Sequence, residues 1–228
     1  MRTALPLAFV LALSPSIARA HFILEEPASW RPQGPLGDPQ KLGPCGDDGT
    51  EPPTGVITEY RPGDTVTVKI NETVFHPGHY RIALSVNDRS ELPPEPEVTA
   101  GSTPCGSVPI DPNPTFPVLG DGLLIHTKPF DEPQTIQVTL PSNVTCEKCT
   151  LQVIEFMSNH GLNNPGGCYY HHCADIAIRP ATKDKALTET GSGCTSTKTP
   201  PEALALAGLA TAWVVRRRQR RALPPPSV

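Results

Sequence analysis

His21 follows Ala18-Arg19-Ala20, the small-residue exit of a leader that opens on Arg2 and runs apolar from Ala4 to Leu13. That order is the pattern of a secretory signal peptide over residues 1–20, with cleavage after Ala20. Cleavage gives His21 a free α-amine, and the amine and ring Nδ1 can then close a chelate on one metal ion. A histidine inside a chain has no such amine. Amine and imidazole nitrogens in a tetragonal arrangement suit Cu(II).

Such a chelate needs a further nitrogen from a rigid element. Phe75-His76-Pro77-Gly78-His79-Tyr80 leads into a segment of alternating polarity, and His76 at that loop-to-strand junction can turn its Nε2 towards a metal held by His21. His79, three residues on, is the competing ligand. A third segment, Gly167-Cys168-Tyr169-Tyr170-His171-His172-Cys173-Ala174-Asp175, sets Tyr170 just before a strand pinned by its cysteines, where an aromatic can close the axial face of a copper. His171 and His172 are adjacent, so a strand sends them to opposite faces and at most one readily joins the same metal. A zinc site built from them lacks a His-Glu-x-x-His pattern.

The elements that must position these residues are strands. The chain has 29 Pro and 18 Gly in 228 residues and few aromatics, a composition hostile to helix interiors. Period-two alternation recurs over Thr65 to Ile70, Tyr80 to Val86, Thr135 to Leu140, Thr150 to Phe156 and Ala174 to Ile178, with turn-forming runs between. Short strands at this spacing predict an all-β domain over residues 21–180: an antiparallel β-sandwich of immunoglobulin or fibronectin type with long loops. Seven cysteines behind an export signal point to disulfides. Cys45, Cys105, Cys146, Cys149, Cys168 and Cys173 lie in the domain and allow fifteen pairings. Cys194 is the odd one.

Residues 181–201 read as a polar linker. The apolar run Ala203 to Val215 is short for a membrane span and ends in the cluster Arg216-Arg217-Arg218-Gln219-Arg220-Arg221. Residues 202–228 with Gly193-Cys194 resemble the tripartite sorting tails of myxobacterial surface proteins. The resemblance implies processing machinery and display at the cell surface, with Cys194 as the attachment point. Between the leader and this tail, 22 acidic side chains face 11 basic ones, a net charge of about −11 that repels nucleic acid.

Together the segments resemble the copper-dependent lytic polysaccharide monooxygenases, particularly the chitin-binding type-4 group. His21 starts the mature chain as in that family. His76-Pro77-Gly78-His79-Tyr80 is similar to its second-histidine segment. Cys146-Glu147-Lys148-Cys149-Thr150-Leu151-Gln152 is similar to its Cys-x-x-Cys-x-Leu-Gln run. Tyr170-His171-His172-Cys173-Ala174-Asp175-Ile176 is similar to its ending, with Tyr170 on the axial position. The resemblance implies one copper ion on His21 and His76, and Gln152 or Glu155 as a partner beside it, of which alternation lets at most one face the site. It also implies a monomer that cleaves a polysaccharide such as chitin or cellulose oxidatively, fed by an external electron donor. Val153 and Glu155 replace the family's Trp and Tyr, and Phe75 replaces its Asn. Trp30, Tyr60 and Tyr169 are the aromatics left to stack on sugar rings. A non-catalytic copper-binding surface protein is the alternative reading, and a structural surface domain the third.

Overall fold

The computed structural model describes residues 21–46 and 52–181. The leader, the linker beyond residue 181, Cys194 and the sorting tail lie outside the described residues. Among the described residues are eight strands: β1 (His21–Glu26), β2 (Thr58–Tyr60), β3 (Thr65–Val74), β4 (Gly78–Ser85), β5 (Val118–His126), β6 (Gln134–Thr139), β7 (Cys146–Met157) and β8 (Tyr169–Ile178). They form a three-stranded sheet in the order β1-β3-β6 and a five-stranded sheet in the order β2-β8-β7-β4-β5. Pairing is antiparallel except for β2, which runs parallel to β8. The domain is thus an all-β, disulfide-bonded sandwich.

Side chains on a strand alternate between faces, so each strand presents one apolar row to the other sheet. Phe22 and Leu24 of β1, Val66, Val68 and Ile70 of β3, and Ile136 and Val138 of β6 are buried on one side. Tyr80, Ile82 and Leu84 of β4, Leu151 and Val153 of β7, and Ala174, Ile176 and Ile178 of β8 meet them from the other. Burying each such side chain contributes about 1.5–3 kcal/mol, and the rows fix register because a one-residue slip would expose a whole row.

The outer face of the larger sheet is covered by loops instead of water, so β4, β7 and β8 are buried on both faces. The loop after β1 crosses it: Trp30 N–H donates to the Cys173 carbonyl at 2.9 Å, and Trp30 Nε1 donates to Cys45 O at 3.1 Å. The Cys45–Cys173 disulfide fastens this loop to β8. Cys105–Cys168 fastens the loop before β5 to the entry of β8, and Cys146–Cys149 closes within the start of β7. Gly78 is required where β4 meets β7, because a Cβ there would run into the Phe156 carbonyl.

Candidate metal centre

His21 is the first residue of β1 and pairs with Val74, the last residue of β3. The chain then crosses between sheets through Phe75-His76-Pro77. This register brings His21 beside the crossing loop that carries His76. Pro77 O accepts from Ser158 N at 2.7 Å and Ser158 Oγ at 2.9 Å, which ties the crossing loop to the turn after β7. That turn delivers His160, whose ring lies edge-on to His76 with centroids 4.6 Å apart. From the opposite sheet, Tyr170 at the start of β8 stacks on the His21 ring, 5.1 Å between centroids and 29° between planes.

Burial keeps His76 uncharged. Burial, with help from the neighbouring His160 and His21, lowers the His76 pKa to about 4, so its imidazole is uncharged at neutral pH. Both ring nitrogens of His21 are buried without a hydrogen-bond partner. The nearest acid to Nε2 is Asp38 Oδ2, at 3.4 Å and off hydrogen-bond geometry. A fully buried imidazole with neither nitrogen satisfied is costly unless something else takes a lone pair. The unsatisfied His21 imidazole and the uncharged His76 imidazole, with His160 beside them, are a donor set that fits copper.

His79 lies apart from this cluster. It pairs across β4 and β7 with Phe156, which pairs with Tyr169, so all three occupy the outer face. Its ring packs 5.5 Å from Phe156. Gln152 is on the outer face too, paired with Cys173 and donating Nε2 to Pro44 O at 2.8 Å. Its place beside a copper is therefore corrected: the pleat of β7 directs it into the covering loops. Glu155, three residues on, points inward between Tyr80 and Tyr170, its partners on β4 and β8. His171 and His172 diverge as adjacent strand residues must. His171 Nε2 meets Glu95 Oε1 at 2.7 Å outside, while His172 Nε2 donates to Phe22 O at 2.9 Å inside. Trp30 and Tyr169 are buried and Tyr60 is half-buried, which withdraws the first two as sugar-stacking surfaces.

Three residues of this end escaped sequence reasoning. Besides His160, they are Glu72 and His126. Glu72 continues the inward row of Val66, Val68 and Ile70 on β3, and His126 ends β5. Glu72, His126 and Glu155 form a buried acidic–imidazole cluster whose potential ligand atoms all lie within 4.8 Å of one another. The signal was present for two of them: a glutamate on the apolar phase of a strand, once in β3 and once in β7. Glu155 is fully buried, and burial with the nearby Glu72 charge raises its pKa well above the ordinary carboxylate value. Its composition differs from the nitrogen-only set around His21.

No protein-family model and no curated protein matches the chain. Among solved structures, the chain is similar to a lytic polysaccharide monooxygenase of class AA15 from Thermobia domestica in the Cu(I) state. The identity is 23%, the TM-score 0.39, and the alignment covers 60% of this chain and 76% of that one. A likeness of that size carries no argument about activity; what the chain offers is an all-β sandwich with a buried, metal-competent histidine and carboxylate end.

Proposed function

We propose that the mature chain begins at His21 and binds one copper ion through the His21 amine, His21 Nδ1 and His76, as a secreted and surface-attached polysaccharide monooxygenase. The observation that carries this reading is the convergence of His21, His76 and Tyr170 from three separate segments, with the His21 ring nitrogens buried and unsatisfied. Reduced copper would supply the activation of dioxygen or peroxide needed to abstract hydrogen beside a glycosidic bond.

The chain's own residues do the rest. His76, kept unprotonated by burial, offers a lone pair at any pH well above about 4. Tyr170 packs flat on His21 and holds its ring in one orientation while closing that side to water. Asp38 Oδ2 lies on the Nε2 side of His21, 3.4 Å away, and Nδ1 is the ring nitrogen that would close a chelate with the α-amine. An external electron donor and a flat polymer such as chitin or cellulose complete the reaction. Immunoglobulin-type topology, residues 1–20 as a removed leader, and display through Cys194 and the 202–228 tail belong to the same proposal.

One observation favours a second reading, a non-catalytic copper carrier: Trp30 and Tyr169 are buried where a stacking surface for sugar rings would need them exposed. One experiment separates the two. The copper-loaded chain starting at His21 is incubated with chitin and with cellulose plus ascorbate, and products are read by mass spectrometry. Oxidised oligosaccharides that vanish in His76→Ala support the enzyme. Tight copper binding without oxidised products supports the carrier.

A further inference from the structure

We infer that Glu72, His126 and Glu155 form a second, inner metal site for a divalent cation of the zinc type, which adjoins the His21–His76 centre through the His76 backbone N–H on Glu72 Oε1 but shares no side chain with it. The three residues come from β3 in one sheet and from β5 and β7 in the other. Their ligand atoms already lie within 4.8 Å of one another. Metal–ligand bonds of about 2.0–2.2 Å in a tetrahedral zinc site imply ligand separations of about 3.4 Å, so modest side-chain rotations close the site.

The state of His126 is the first argument. Its Nδ1 lies 2.8 Å from the Leu124 carbonyl, which can only accept, so Nδ1 carries the proton. Nε2 is thereby directed at Glu72 Oε1, 2.9 Å away. Metal-bound imidazoles are oriented in this way, with the far nitrogen donating to a backbone carbonyl. Leu124 takes φ = 50° two residues before His126, a left-handed conformation that a branched side chain resists.

Unsatisfied groups aimed into the same space are the second argument. Glu155 is 0% exposed, and neither carboxylate oxygen has a hydrogen-bond partner. The Tyr80 hydroxyl, directly across the β4–β7 ladder, is also fully buried and faces Glu155, partly offsetting the rise that burial gives its carboxyl. With a metal ion in place of the proton that His126 Nε2 shares with Glu72, two carboxylates and one imidazole balance one divalent cation, and an isolated buried carboxylate is otherwise costly. One nitrogen and two oxygen donors suit zinc. The Tyr80 hydroxyl is placed to meet a fourth ligand such as water.

The competing arrangement uses protons alone: an imidazolium at His126 paired with Glu72, and a protonated Glu155. The test uses the full chain with the residues before His21 retained, because its His21 nitrogen is then a peptide amide and cannot chelate. After equilibration with Zn(II) and dialysis, metal content is read by mass spectrometry and the zinc environment by X-ray absorption. The inference expects one zinc per chain with a single imidazole in its shell, retained in His76→Ala and bound at least tenfold more weakly in Glu155→Gln and Glu72→Gln. Near-UV circular dichroism reports whether each variant folds, and the wild-type absorption spectrum decides the matter even where one does not. No bound zinc, a shell of two or more imidazoles, or loss of zinc in His76→Ala would each overturn the inference. Copper binding by the chain that starts at His21 is measured separately.

Discussion

The ring of His21 lies stacked on Tyr170, centroids 5.1 Å apart, joining the first residue of β1 in one sheet to the second residue of β8 in the other. Tyr170 is therefore both a core residue and the wall of the candidate copper centre.

Those two roles separate by substitution. Tyr170→Ala removes a fully buried ring and is expected to cost about 3–5 kcal/mol. Tyr170→Phe keeps the stack and loses the hydroxyl contact to Asn163 Oδ1 at 3.4 Å, costing about 1 kcal/mol. Urea unfolding measures both. Equal losses for Phe and Ala would contradict the packing role of the ring.

A pH dependence follows from His172. Burial lowers its pKa to about 4 against the hydrogen bond it gives Phe22 O, with smaller contributions from His171 and His21. In the unfolded chain His172 takes up a proton as pH falls through about 6.5; folded, it does so only near 4. Between these values the unfolded chain binds more protons, so stability falls as pH falls, by about 3 kcal/mol in all, and the loss is complete below about 4. His172→Gln should flatten this part of the pH profile in denaturant titrations. An unchanged profile would remove His172 as its source.

The Cys45–Cys173 disulfide spans a sequence separation of 128 residues and holds the loop that carries Asp38 and Gln40. Gln40 Oε1 accepts from Phe22 N at 3.1 Å, next to His21. Replacing both cysteines by alanine is expected to cost about 2–5 kcal/mol and to weaken copper binding, because the loop at His21 loses its fastening. Thermal unfolding and a copper titration read the two effects. Lower stability with undiminished copper affinity would show that the loop does not support the site.

Much of the sandwich is legible in the residues themselves. The alternating runs from Thr65, Thr150 and Ala174 fall within β3, β7 and β8, and those from Tyr80 and Thr135 overrun the ends of β4 and β6 by one residue. The strands that alternation misses have local reasons. β2 is three residues long, and β5 is interrupted by Gly120 and Gly122. Gln152 and Glu155, three apart on β7, face opposite ways as alternation requires, and which of them faces inward is set by the register of β7 against β4 and β8. Which cysteines pair depends on how loops cross the outer face, and sequence spacing does not encode that. Glu72 and His126 are invisible as a pair because they lie 54 residues apart and meet only when the two sheets close.

The central claim is that the His21 amine and His76 hold copper together. Calorimetric Cu(II) titration of the chain starting at His21 tests it most directly, beside the same chain with one added residue before His21 and beside His76→Ala. Loss of an outer partner alone costs about 10–100-fold in metal affinity, so both changes should weaken binding at least about 100-fold. Equal affinity in all three chains would contradict the account.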